Sequence, residues 1–217
     1  MPDHVDLTRA IVIDFESFQD GPPLLCGTLI DGDFQQTVFD ERLQPAAQTK
    51  YIPVLPACDY LRQLVKRASS EDRHFIAFST KERNDINQIV DCDISERYVN
   101  ALKIAKRWRK QVAPAEHQRV ARKRRRMRER RRYVGGYGNR FIDFAKLAGI
   151  PIPSDYGLGC EAKRIRDTIN QLERRREYTN LTPCVKGKWT KALKHNRFDV
   201  EGLSKLCALM LKDLASD

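Results

Sequence analysis

A chain of 217 residues with 41% hydrophobic and 32% charged residues has enough apolar material for one core, and too much charge for all of it to be buried. Its 40 Lys and Arg against 29 Asp and Glu leave a net charge of +11, which favours an anionic partner, nucleic acid before acidic membrane. No apolar run approaches the roughly 18 residues of a membrane span, so no membrane is expected as a partner. Oligomeric state is left open.

The opening stretch "MPDHVDLTRAIVID" lacks the basic flank and apolar centre of a signal peptide. Cys26, Cys58, Cys92, Cys160, Cys184 and Cys207 are widely spaced with no CxxC pair, a poor match to a zinc site or a disulfide framework. They read as intracellular thiols, mostly small apolar fillers. A cytoplasmic setting is expected, with nucleoid or nucleus still open.

In chain order, Ile11, Val12 and Ile13 are contiguous and β-branched, which predicts a central strand over 10–16. Gly21-Pro22-Pro23 breaks the chain before a second strand, Leu24 to Ile30. The "DGD" at 31–33 signals a tight hairpin into a third strand, Phe34 to Phe39. An antiparallel meander is expected. Leu61, Leu64, Val65 and Ala68 have helical spacing, residues 74–79 form a short apolar strand, and Ile86, Ile89 and Val90 mark a second helix. That order predicts a mixed α/β fold.

After Tyr98 the texture changes. "YVNALKIAKRWRKQV" reads as one amphipathic helix, and from Lys103 to Arg132 there are 15 Lys and Arg against two acids, Glu116 and Glu129. The span 98–138 is therefore taken as a basic helical insertion within a single domain over 1–217, closed by a hinge at "YVGGYG" (133–138). Ordinary globular sequence resumes with a helix ending at Gly149, stopped by Pro151. A second basic helix, "CEAKRIRDTINQLERRREY", and one or two final helices follow.

Three places carry chemistry. Asp14 and Glu16, at i and i+2 on a strand, share one face; a divalent cation between them would offset their repulsion, and oxygen ligands suit Mg²⁺ or Mn²⁺. The plainer reading is a strand that ends at Asp14 with both acids solvated. Glu82 stands just after a strand at the start of a helix, with Asp85 one turn on; helix N-termini favour acids for dipole reasons alone. His195 and Asp199 are i and i+4, with Leu203 continuing their face. Polar groups on an inward stripe are costly unless used, though a surface pair or cap fits the same spacing.

A strand bearing D-x-E, a strand–helix acid and a C-terminal helix bearing H-x-x-x-D, in that order, resemble the DEDD-type 3′–5′ exonucleases of the RNase H-like superfamily. The likeness is nearest to the RNase H-like exonucleases whose third motif has the form Y-x-x-x-D. It covers Ala10–Val90 and about Asn139–Leu211, leaving out the basic stretch. The resemblance implies an RNase H-like mixed β-sheet flanked by helices and a catalytic set of Asp14, Glu16, Glu82, His195 and Asp199. Asp14, Glu16, Glu82 and Asp199 would hold metal, Asp85 would be the alternative second-motif acid, and His195 would be the general base. Two departures stand out. The second motif usually carries Asp, where this chain has Lys81-Glu82, and a His base usually sits one residue further from its acid. The implied mechanism is phosphodiester hydrolysis with two Mg²⁺ or Mn²⁺ ions about 3.5–4 Å apart. An imidazole of ordinary pKa, near 6.5, could take a proton from water at neutral pH.

The run containing Arg122, Lys123, Arg124, Arg125 and Arg126 would be positive on every side of a helix. It reads as an arm gripping phosphates, as a nuclear-localisation-like run, or as a solvated insertion. Trp108, Tyr133 and Tyr137 flank it and could stack on bases; Trp108 also has core-like spacing. Lys186, Lys188, Lys191 and Lys194 precede His195 and could hold a substrate strand, or simply line an exposed face. The expected activity is a metal-dependent nuclease acting on DNA or RNA, a 3′–5′ exonuclease. The rivals are an RNase H-like endonuclease or resolvase, and a non-catalytic nucleic-acid-binding protein.

Overall fold

The computed structural model describes residues 6–18, 21–132, 136–157 and 159–215. Five strands, β1 (Ala10–Ser17), β2 (Pro23–Ile30), β3 (Asp33–Val38), β4 (His74–Ala77) and β5 (Tyr98–Asn100), form one mixed sheet in the order β3-β2-β1-β4-β5. The first three are the expected antiparallel meander, while β4 runs parallel to β1 and β5 parallel to β4. Asp31 and Gly32 both take positive φ, the conformation of a two-residue hairpin turn whose twist matches its strands.

Eight helices are described: α1 (Gln44–Gln48), α2 (Ala57–Ser70), α3 (Lys81–Val90), α4 (Ala101–Val112), α5 (Pro114–Glu129), α6 (Phe141–Leu147), α7 (Glu161–Arg175) and α8 (Pro183–Ala215). They cover both sheet faces. Ile11, Ile13 and Phe15 of β1 pack with Leu61 and Leu64 of α2 and Ile86 of α3. Ala10 and Val12 point the other way, into a cluster with Ala101 and Trp108 of α4, Phe144 of α6, and Val200 and Leu203 of α8. Burial on both sides is why β1 reads as a continuous apolar run. A third cluster joins Leu24 and Leu25 of β2 to Ile165 and Ile169 of α7 and Trp189 of α8. Asp14 and Glu16 follow Val12 on the face that carries α8.

Two sequence expectations change, and a third, one or two final helices, narrows to one. Tyr98–Asn100 is a strand, and the helix starts one residue later, where the Asn100 side chain accepts a hydrogen bond from the Leu102 amide. A short edge strand running directly into a helical pattern left no separate periodicity to read. The final segment is one helix of 33 residues, about 50 Å long. Of the six thiols only Cys26 and Cys207 are buried, so the filler role is confined to those two.

The span 98–138 is not uniform. Strand β5 belongs to the sheet, and Ala101, Ile104, Ala105 and Trp108 of α4 belong to the main core. Trp108 Nε1 donates to Asp213 Oδ2 at 2.7 Å, pinning α4 to the end of α8. Arg109 is buried, lies over the Phe144 ring and donates to the Gly138 carbonyl and Asn139 Oδ1. Only α5 stands outside, burying Val120 alone. Of the expected hinge, 136–138 form a turn, and 133–135, Tyr133 included, lie outside the described residues. Among the described residues no helix is long and apolar enough to cross a membrane.

Candidate metal centre

Strand β1 delivers Asp14 and Glu16 to the surface on which α8 lies, and α8 supplies His195 and Asp199 opposite them. Glu16, His195 and Asp199 each offer one ligand atom within 4.8 Å of the others. Glu16 and His195 are buried, at 8% and 6% exposure. His195 Nε2 lies 3.2 Å from Asp199 Oδ2. Its Nδ1 lies 2.8 Å from the Tyr156 carbonyl and 3.1 Å from Glu161 Oε1. The ring N–H can serve only one of those acceptors, and the carbonyl is the nearer, so Glu161 contributes charge without a hydrogen bond; its Oε1 is buried and has no hydrogen-bond partner. Tyr156 stacks on the imidazole at 4.0 Å between centroids, and its hydroxyl donates to Asp199 Oδ1 at 2.7 Å.

The electrostatics follow from packing acids together out of water. Burial pushes Asp14 well above the ordinary carboxylate range, and the charges of Asp199, Glu16 and Glu82 push it further. Burial lifts Glu16 to about 8, against the opposing pull of His195. For His195, burial works downward, but Asp199, with Glu16 and Glu161 behind it, more than reverses this and raises the ring to about 9. The ordinary value of 6.5 assumed from sequence does not hold here: without a cation, the imidazolium is the counter-charge of the cluster.

The second-motif acids separate. Glu82, in the first turn of α3, is 7% exposed, accepts from Ser79 Oγ at 2.8 Å and is close enough to Asp14 to raise its pKa. Burial raises its own carboxyl too. Asp85 is bound to Lys81 Nζ at 2.5 Å and lines a cleft of about 410 Å³ with Gly21, Ser79, Thr80, Lys81 and Asn84. Of the two, Glu82 is the one whose charge acts on Asp14.

The donor set fits a hard divalent cation. Its charges are carboxylates, and Glu16 Oε1 is buried with no hydrogen-bond partner, a cost that a cation would remove. Among the described residues, Glu16, His195 and Asp199 are those whose ligand atoms lie close enough together to hold it.

Several members of the site carry no sequence signal. Asn196, wholly buried on α8, donates from Nδ2 to Asp14 Oδ2 at 3.0 Å and to the Asp14 carbonyl at 3.2 Å. Tyr156 reaches Asp199 from 43 residues away. Glu161 opens α7, where an acid reads as a dipole residue. Only tertiary packing joins any of them to the motifs.

The basic candidates lie apart from this cluster in their contacts. Arg122 and Arg126 are exposed, Lys123 lies 4.5 Å over the Tyr137 ring, Arg124 donates to the Tyr137 carbonyl, and Arg125 lies 3.6 Å from Glu129. Lys188 is tied to Asp167 at 2.6 Å, and Lys191 is exposed. Trp108 is core, not a stacking platform. No family model, curated protein or solved structure matches the chain.

Proposed function

We propose that the protein is a metal-dependent nuclease that hydrolyses phosphodiester bonds with two Mg²⁺ or Mn²⁺ ions, a 3′–5′ exonuclease of RNase H-like type. One observation carries the reading: Glu16, His195 and Asp199, from opposite ends of the chain, bring ligand atoms within 4.8 Å of one another, and Asp14 lies close enough to feel the charges of Glu16, Asp199 and Glu82. The mixed five-stranded sheet with its meander and two helical layers supports the RNase H-like resemblance, and the 3′–5′ direction rests on that resemblance.

Bound divalent cations would supply Lewis-acid activation of water and charge stabilisation at the leaving oxygen. Asp14, Glu16, Glu82 and Asp199 would hold them on a rigid strand and two helices. His195 keeps Nδ1 toward the Tyr156 carbonyl, which leaves Nε2 as the atom that takes a proton from water. Neutralising the surrounding carboxylates removes what holds the ring near 9 and returns Nε2 toward the neutral range, where a base is effective. The net charge of +11 supports a polyanionic substrate, with the exposed side of α5 as its grip.

End-labelled single- and double-stranded DNA and RNA, incubated with Mn²⁺, Mg²⁺ or EDTA, test this. Hydrolysis is expected with metal and lost in Asp14→Ala and Asp199→Ala. Stepwise shortening that stops at a blocked 3′ end, with circles left intact, is the exonuclease outcome; cut circles would point to an endonuclease. Binding without hydrolysis in any metal, or hydrolysis indifferent to metal and to both substitutions, would overturn the reading.

A further inference from the structure

We infer that Asn196 is the positioning residue of Asp14, and that Gln36 sets which way its amide faces. This rests on the metal-centre reading above. In the sheet register Gln36 of β3 is opposite Gly27 of β2, and Gly27 is opposite Asp14 of β1, so the three form one row across three strands. In-register neighbours point to the same face. The middle position has no side chain, and the Asn196 amide occupies that space: a Cβ on Gly27 would sit 2.4 Å from Asn196 Oδ1 and 3.0 Å from Val200 Cγ2.

The row fixes a polarity. Gln36 Nε2 donates to the Leu193 carbonyl at 3.1 Å and to Asn196 Oδ1 at 2.9 Å. An Asn side chain whose oxygen accepts on one side must present its NH₂ on the other. That NH₂ donates to Asp14 Oδ2 and to the Asp14 carbonyl, gripping side chain and backbone together. Among the forces on Asp14 this is the contact that favours its charged form. Partners of this kind, behind a metal ligand, typically set metal affinity by about 10–100-fold.

Mn²⁺ titration of the full chain by electron paramagnetic resonance tests the relay in wild type, Asn196→Leu, Gln36→Leu, Gln36→Glu and Asp14→Asn. Wild type should bind Mn²⁺ and Asp14→Asn should lose at least one site. Asn196→Leu should weaken binding about tenfold or more. Gln36, part-exposed on β3, is the safer position if Asn196→Leu folds poorly. Gln36→Leu removes the constraint on the amide and should weaken binding a few-fold. Gln36→Glu presents only acceptors, turns the amide carbonyl toward Asp14 and should weaken it more than Gln36→Leu. A bare extra negative charge near the site would instead strengthen cation binding, so the two accounts differ in sign. Wild-type-like or tighter binding in Gln36→Glu, or equal losses in both Gln36 variants, overturns the relay while the metal reading stands. Absence of Mn²⁺ binding by wild type overturns both.

Discussion

His195 and Asp199 face each other one turn apart on α8. Nε2 of the ring is 3.2 Å from Asp199 Oδ2, and the Tyr156 carbonyl, Glu161 and Glu16 also act on the ring. An imidazolium among carboxylates is a substitute counter-ion for a cation. The same charges that make it strongly basic in the metal-free protein are those a divalent ion would take over.

That arrangement gives stability a definite pH dependence. Glu16 titrates at its ordinary 4.5 when unfolded and at about 8 when folded, and His195 at 6.5 and about 9. Between pH 6.5 and 9 the folded chain therefore holds more protons than the unfolded one, and stability must fall as pH rises. His74, whose value burial lowers, acts in the opposite sense but below 6.5. In EDTA, two extra protons held over this window are worth about 5 kcal/mol, so the melting temperature is expected to drop by roughly 10 °C or more across pH 6.5 to 9, at ~2–4 °C per kcal/mol for a chain of this size. Mn²⁺ should raise it more at pH 8.5 than at pH 6.5. A melting temperature that is flat or rises over this window, followed by circular dichroism, would count against the raised values of Glu16 and His195.

Glu82 and Asp85 make separable predictions. Glu82→Gln keeps the shape and the Ser79 contact but removes a charge beside Asp14, and hydrolysis should fall on the order of 10–100-fold, with the Mn²⁺ requirement raised. Asp85 is occupied by Lys81 at the cleft wall, and Asp85→Asn should stay within a few-fold of wild type. Metal-titrated rates on one labelled strand measure both. The reverse ranking would move the second-motif ligand to Asp85.

How much of this was legible in the sequence depended on whether the feature was local. The β-branched run at Ile11–Ile13, the "DGD" turn and the helical spacing of Leu61, Leu64 and Ala68 are short-range patterns, and each corresponds to an element of the fold. Asp14, Glu16, His195 and Asp199 were readable because strand and helix periods place each pair on one face. Asn196 was invisible for the same reason: it lies one residue along the helix from His195, and its partner is 182 positions away. β5 was lost because three edge residues run straight into a helix, and α8 continues through Gly187 and through Gly202, which packs against Phe141.

Gly27 is the structural cost of bringing α8 this close. Gly27→Ala should force the Asn196 amide and Val200 off the sheet, and overpacking of this kind typically costs about 1–3 kcal/mol. Urea unfolding of the two proteins measures it. Because the displaced group is the one that grips Asp14, metal affinity should fall along with stability. A stable Gly27→Ala with unchanged affinity would mean that α8 can shift without disturbing the centre.

The basic run divides into a helix the fold needs and one it does not. Trp108 of α4 is 2% exposed and tied to Asp213, so Trp108→Ala should cost about 3–5 kcal/mol. Helix α5 buries only Val120, and Arg122, Lys123, Arg125 and Arg126 are all exposed. Changing those four to Gln should leave stability within about 0.5 kcal/mol per site. Arg124 is left in place because its donation to the Tyr137 carbonyl holds the turn. If the four grip phosphates of a single strand, each contributes about 0.7 to the slope of log affinity against log salt, and their loss should flatten that slope by roughly 3. Binding should then be much weaker than wild type at low salt and nearly equal at high salt, as fluorescence anisotropy with a labelled oligonucleotide would show. An unchanged slope in a folded quadruple variant would make α5 a solvated arm and leave substrate binding to Lys191 and the neighbouring face of α8.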